Sequence, residues 1–182
     1  MEHADHVQLI RDAVVPGAWA DLGSGTGAFT LALGELVGPT GSIVSVDYDA
    51  EALRRQARVF AERFPDVKLT QLVEDFQHPL ELPPLDGLLM ANSLHFVEDQ
   101  RDLVARLARH LKRGGRFVIV EYDADRGNAW VPKPISAHAW TELAEDVGLT
   151  HVRVVGRVPS RFLGSMYAAV AEVPGTGLPG RS

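Results

Sequence analysis

Apolar residues along this chain alternate between two spacings. Dense apolar runs at 18–22, 42–47, 67–73, 85–91 and 116–122 predict strands, and the run at 85–91 is almost continuous, as expected where helices cover both faces of a sheet. Between these runs apolar positions recur every three or four residues. Leu53, Ala57, Phe60 and Phe64 make one helical face, with Arg54, Arg55, Arg58 and Glu62 between them, and Leu103, Leu107 and Leu111 make another. Capping chemistry sets the limits. Asp5, with Gln8 three residues on, predicts the start of a first helix that Pro16 and Gly17 stop, its face formed by Val7, Ile10 and Val14. Gly38 closes a helix over about 28–37, Asp49 caps the next, and Gly114 with Gly115 ends the helix built on Leu103, Leu107 and Leu111. Ser136 caps a last helix, with Trp140, Leu143 and Val147 inward, that Gly148 ends.

The final apolar segments, 151–158 and 165–173, are joined by too few residues for a parallel crossover, so they predict an antiparallel hairpin. A β-α order repeated about five times and then a hairpin predicts an α/β fold. Its sheet is doubly wound, mostly parallel and seven-stranded, with an antiparallel C-terminal hairpin strand. Residues 1–173 are expected to form a single domain, and the Gly- and Pro-rich tail, 174–182, is expected to be disordered.

Composition narrows the function more than the fold. Lys and Arg total 18 against 24 Asp and Glu, a formal net charge of -6, which argues against nucleic acid or an anionic membrane as partner. Cysteine is absent, which excludes disulfides, thiolate metal sites and a cysteine nucleophile. No apolar run approaches the roughly 20 residues of a membrane span, and the first ten residues lack the apolar stretch of a signal peptide. The expectation is a cytoplasmic protein without a membrane span.

Chemistry concentrates in Asp21-Leu22-Gly23-Ser24-Gly25-Thr26-Gly27, between the first strand and the first sheet-covering helix. Alternate glycines let the backbone turn sharply and approach a ligand, and the helix start offers unpaired N–H groups. With Ala28, and with Asp47 about 20 residues on, the loop also fits a loose dinucleotide fingerprint. Asp47 suits a ribose diol in either case. Asp21 favours the methyl donor: a carboxylate there repels a pyrophosphate and suits the cationic end of S-adenosylmethionine.

In these residues the chain resembles the class I S-adenosylmethionine-dependent methyltransferases, with their Rossmann-like sheet, and particularly the quinone-biosynthesis C-methyltransferase type. The likeness runs from about Pro16 to Val173 through the Asp-x-Gly-x-Gly-x-Gly loop, Asp47 ending Ile43-Val44-Ser45-Val46-Asp47, and Glu74-Asp75-Phe76 after the third strand. It continues in the stretch from Ala91 to Asp99 and in the turn from Leu111 to Phe117. The resemblance implies that Gly23, Ser24 and Gly25 frame the methionine moiety, with Asp21 near its ammonium and sulfonium. It implies Asp47 on the ribose hydroxyls and Tyr48 packed near the adenine. Asp75 would accept from the adenine amino group, Phe76 would offer a backbone N–H, and Asn92 would lie beside the donor near the reaction centre. The leading helix, residues 1–17, is implied to cover the donor and to bring His6 near it.

His95 follows the fourth strand, where acceptor meets donor, and is the candidate general base; shaping the pocket is its alternative role. Glu121 and Tyr122 either line the acceptor side or merely end the fifth strand. His3, Asp5 and His6 read as capping and surface groups rather than metal ligands, since nothing else is placed by sequence to complete a shell. The long connection at 123–135, with Trp130, either builds the acceptor site or is a linker with Trp130 packed on the core. Only about 17 residues precede the first strand, so the acceptor pocket is expected to be thinly covered: either the substrate is large and stays outside, or that leading helix or a second subunit of a homo-oligomer closes the pocket, and a small-molecule acceptor is the expectation. Two rival functions stay open: a nicotinamide-dependent oxidoreductase, and a non-catalytic donor-binding module acting through a protein partner.

Overall fold

The computed structural model describes residues 1–160 and 162–175. A helix at His3–Ile10 (α1) precedes a strand at Ala18–Leu22 (β1); then come α2 (Ala28–Val37), β2 (Ser42–Asp47), α3 (Ala50–Arg63) and β3 (Lys68–Val73). After β4 (Leu85–Ala91), a single tight turn at Leu94–Phe96 leads to α4 (Gln100–Ala108), β5 (Leu111–Tyr122), α5 (Ala137–Asp146), β6 (Thr150–Ser160) and β7 (Gly164–Glu172). The strands form one seven-stranded sheet in the order β3-β2-β1-β4-β5-β7-β6. Its first five strands are parallel, while β7 lies antiparallel between β5 and β6. This is the sheet that the alternating pattern and the closing hairpin predict.

Alternation within the strands sorts side chains into two cores, one on each face. Leu88, Met90, Phe117 and Ile119 meet Leu103 and Leu107 of α4 and Trp140 of α5. Leu89, Val118 and Val120 point the other way, to Ile10, Leu33 and Phe60 from the three leading helices. Helix starts follow side-chain chemistry: Asp49 accepts from Glu51 N and Ala52 N, Asp99 from Asp102 N, and Ser136 from Ala139 N.

Three details differ from the sequence reading. Helix α1 begins earlier, with Glu2 outside it and Asp5 within its first turn, where the carboxylate accepts from Glu2 N at 2.8 Å. Asp5 thus closes the helix start from inside, a role that the same residue spacing does not separate from that of a cap. Gly114 and Gly115 do not end α4, which stops at Ala108; they lie inside β5. Gly114 N donates to Val173 O and Val173 N to Gly115 O, and the β4–β5 register shifts between Leu85 and Gly87. A glycine pair near a helix end signals either a helix stop or a strand irregularity, and here backbone pairing decides for the strand. Finally, residues 74–84 join β3 to β4 with neither helix nor strand. Most of the segment read as a tail, from Thr176 on, lies outside the described residues. No helix among the described residues is long and apolar enough to cross a membrane.

Strand order reverses at β1, whose neighbours are β2 on one side and β4 on the other. In a doubly wound sheet the crevice at such a switch point, beyond the carboxyl ends of the strands, is where ligands bind.

Candidate functional site

At that crevice the chain after β1 is laced to β2. Gly23 N and Ser24 N both donate to Val46 O, at 2.9 and 3.1 Å. Gly25 N donates to Asp47 Oδ2 at 2.8 Å, while Asp49 N donates to Asp47 Oδ1 at 2.9 Å. The buried Asp47 carboxylate therefore ties the glycine loop to the start of α3. Two glycines do different work. At Gly23 (φ +76°) a Cβ would stand 2.6 Å from Ser93 Cβ, so side-chain absence is what lets the loop pack on the end of β4. At Gly25 (φ +52°) a Cβ would meet nothing within 4 Å and would project into open space.

Beneath the loop runs a chain of buried polar groups. Thr30 Oγ1 donates to Asp21 Oδ2 at 2.6 Å, and Gln56 Nε2 donates to Thr30 Oγ1 at 3.1 Å. Gln56 Oε1 accepts from Ser45 Oγ and from Gln71 Nε2, each at 2.8 Å, and Ser45 Oγ lies 2.7 Å from Ser24 Oγ. Burial pushes the Asp21 carboxyl up to about 7; the Thr30 hydrogen bond opposes the rise and the nearby Asp47 adds to it. Asp21 thus carries only part of its charge near neutrality, where the sequence reading took a full one.

Two cavities open on either side of the loop. The larger, of about 520 Å³, is lined by Gly23, Gly25, Asp47, Tyr48, Asp75, Phe76 and Asn92, among others. The smaller, of about 260 Å³, takes in Asp21, Ser24, His6 and Phe29 and shares Gly23, Gly25 and Asn92 with the first. All nine residues assigned to the donor from sequence border one cavity or both. Tyr48 is exposed, Phe76 is buried, and one Asp75 oxygen accepts from Gln77 N at 2.9 Å. Asn92, at φ +53°, has a buried Oδ1 with no partner among the described residues. Burying such an acceptor without a donor costs about 1–3 kcal/mol.

His95 is the exception, bordering neither cavity. Its tight turn sends the neighbouring Phe96 to the larger cavity and His95 inward. There Nδ1 lies 2.7 Å from Glu121 Oε2, and Glu121 Oε1 accepts from Leu94 N and His95 N at 3.0 and 3.3 Å. Glu121, at 0% exposure, thus holds the turn from the end of β5 rather than merely ending the strand. Trp130 is 76% exposed instead of packed on the core; Val131 and Ile135 are the buried anchors of residues 123–135. Lys133 N donates to His95 O, which carries this connection past the histidine. His3 Nε2 pairs with Glu35 at 2.8 Å, and His6 meets the Phe29 ring edge-on at 4.8 Å.

Sequence reasoning missed Thr30, Ser45 and Gln56. A signal existed for Gln56, a lone polar residue three after Leu53 and four before Phe60 on the buried face of α3. Phe96, exposed at the larger cavity, had no such signal, because a loop aromatic shows no periodicity.

A family model described as a methyltransferase domain matches residues 20–117. Among curated proteins, the ubiquinone/menaquinone biosynthesis C-methyltransferase UbiE of Pseudomonas fluorescens is 31% identical over 125 residues, 66% of this chain and 47% of that protein. The chain spans less than half the length of the first such relatives. Among solved structures, a SAM-dependent methyltransferase from Aquifex aeolicus superposes with TM-score 0.68 at 20% identity, covering 93% of this chain and 89% of that one. The N-methyltransferase NodS of Bradyrhizobium japonicum, solved with S-adenosyl-L-homocysteine, gives 0.69 at 20% identity, with 94% and 85% covered.

Proposed function

The chain belongs to the class I S-adenosylmethionine-dependent methyltransferases, and from that premise we propose that it transfers a methyl group from S-adenosylmethionine to a small organic acceptor. One observation carries the reading: a single cavity is bordered at once by the glycine loop, by Asp47 from the end of β2 and by Asp75 after β3. In this reading the larger cavity takes the adenosine. Asp47, already oriented by two backbone N–H groups, keeps lone pairs for the ribose hydroxyls, Tyr48 covers the adenine, and Asp75 and Phe76 N–H meet its edge. The smaller cavity, with Asp21 at its wall, takes the cationic methionine end.

The residues fit that group. The space in front of Gly25 is open, the unpartnered Asn92 Oδ1 stands where the two cavities meet, and a buried carboxyl waits beside the cationic end. A pyrophosphate at the same loop would face both Asp21 and Asp47, which weighs against a nicotinamide dinucleotide. When bound, the donor supplies a methyl carbon already activated on a sulfonium. The chain has only to bind, orient and exclude water. His6, on the leading helix, borders the smaller cavity, which supports α1 as a partial cover. A cytoplasmic protein, with no nucleic-acid partner and with a second copy as a further cover, belongs to the same proposal.

Calorimetric titration with S-adenosylmethionine, S-adenosylhomocysteine and reduced nicotinamide cofactors tests it. The sulfur compounds are expected to bind at about micromolar Kd and the nicotinamides not at all. Nicotinamide binding without the sulfur compounds would overturn the reading.

A further inference from the structure

The two edges of the sheet are guarded unequally. Strand β6 shifts its register against β7 twice, carries Arg153 and Arg157, and reaches its end through Pro159, all of which discourage a further strand. Strand β3 pairs with β2 over its whole length without a shift, and residues 69–73 hold neither a charge nor a proline. Its free side is ready to bond. Glu74 N donates to Asp47 O, so the backbone groups of Thr70 and Leu72 also face β2, and those of Leu69, Gln71 and Val73 face outward. The side chains of these three lie on the α3 face, where Gln71 Nε2 donates to Leu53 O and Leu69 packs on the core that holds Phe60. Val73, by contrast, is 56% exposed. Beside this edge Ala57 and Ala61 of α3, with Phe64, Leu69 and Gln71, border a cleft of about 450 Å³.

The edge is complementary to itself. A two-fold axis perpendicular to the sheet and through Gln71 lays a second copy's β3 antiparallel to the first and matches each face to its own kind. Leu69 then stands opposite the second copy's Val73, and Thr70 opposite its Leu72. The outward backbone groups of Leu69, Gln71 and Val73 all find partners, and each exposed valine lies against a leucine that borders the cleft. Lys68 falls directly opposite the second copy's Glu74, once at each end of the junction. Both residues are exposed, and among the described residues neither has an ion-pair partner in its own chain. Moving the axis to Thr70 or Leu72 sets Lys68 against Leu72 or Phe76 instead, so charge selects the register.

We propose that a second copy of this chain extends the sheet through β3, in the register centred on Gln71, held by backbone hydrogen bonds and by two Lys68–Glu74 pairs. The inference goes beyond the methyltransferase reading and does not depend on it. Glu74 immediately precedes Asp75 and Phe76, so the junction ends beside the larger cavity of each copy.

Sedimentation velocity over about 1–200 μM protein tests it, with a monomer–dimer equilibrium expected at roughly micromolar Kd. Lys68→Glu and Glu74→Lys each bring like charges face to face and are expected to weaken the dimer at least about tenfold, while the double variant restores it to within about threefold. Val73→Pro removes an outward N–H and an exposed side chain but no bond to β2, so it is expected to weaken the dimer and leave the fold intact, as read by circular dichroism. A chain that is monomeric at every concentration would overturn the proposal. So would a dimer indifferent to both charge reversals and to Val73→Pro, or a double variant that stays dissociated.

Discussion

The two halves of the crevice are built from different material. On the β1–β3 side the walls are backbone and buried polar groups: the glycine loop, Asp47 with both oxygens engaged, and the Asp21–Thr30–Gln56–Ser45–Ser24 chain beneath it. On the other side Phe96 borders the larger cavity, and a row of rings, exposed at its two ends, runs from it past one buried His–Glu pair to the β6–β7 turn. A wall made of the fold's own hydrogen bonds cannot change without disturbing the fold. A wall of exposed side chains on loops can be replaced one ring at a time. Stability and binding should therefore be coupled on the first side and separable on the second.

The largest expected effect comes from Gly23→Ala. A methyl group there meets Ser93 Cβ at 2.6 Å in a left-handed backbone conformation, so both overpacking and strain oppose it. Loss of about 2–4 kcal/mol of stability and of measurable donor binding is expected, read by urea unfolding and calorimetry. Gly25→Ala sharpens the contrast. Its Cβ points into open space, so stability should fall by only about 1 kcal/mol while donor affinity falls at least as far. Equal stability losses in the two variants would break the claim that Gly23 serves packing and Gly25 serves the ligand.

Asp21→Asn should move both properties at once, in opposite directions. Burial raises the carboxyl to about 7, so between the unfolded value near 3.8 and that figure the folded protein holds a proton that the unfolded chain has lost. Stability is therefore fully present below the unfolded pKa and declines as pH rises toward 7. Asn keeps an acceptor for Thr30 Oγ1 and removes the ionisation. The variant should match wild type at about pH 4 and exceed it by a few kcal/mol at about pH 8, measured by thermal unfolding across pH. Donor affinity should fall about tenfold above neutrality, since the cation loses its partner. In the wild type, a bound cation should draw the proton off Asp21, so below pH 7 the binding heat should vary with the ionisation enthalpy of the buffer. A variant no more stable than wild type at pH 8 would show that Asp21 is not held up by burial.

The same division explains what could be read from sequence. Asp21, Gly23, Gly25 and Asp47 were legible because backbone geometry and a buried carboxylate each demand a particular residue type at a fixed spacing. Gln56 was half legible, as a polar interruption in an apolar stripe. The partner of His95 was not legible, because Glu121 lies 26 residues away and meets it only through β4–β5 pairing. The strands themselves were readable to within a residue or two, except where Gly114 mimicked a helix stop. Phe96 and Phe162 sit on turns with no period and Tyr122 ends β5, so only their three-dimensional contacts bring these rings into one row.

The smallest effect, and the one that most directly tests separability, is Trp130→Ala. Trp130 is 76% exposed, and its connection is anchored instead by the buried Val131 and Ile135 and by Lys133 N on His95 O. The loop also closes on itself, with Asn128 Oδ1 accepting from Trp130 N and Val131 N at 2.8 and 2.9 Å, bonds that survive loss of the indole. Removing the side chain should therefore leave stability within about 0.5 kcal/mol and donor affinity unchanged. If the indole folds over an acceptor once one is bound, KM for that acceptor should rise about threefold to tenfold with kcat held, the mark of binding shared equally by ground and transition states. A fall in donor affinity, or a stability loss above about 1 kcal/mol, would mean that the ring side is also bound into the fold and that the two walls of the crevice are not the independent parts their chemistry implies.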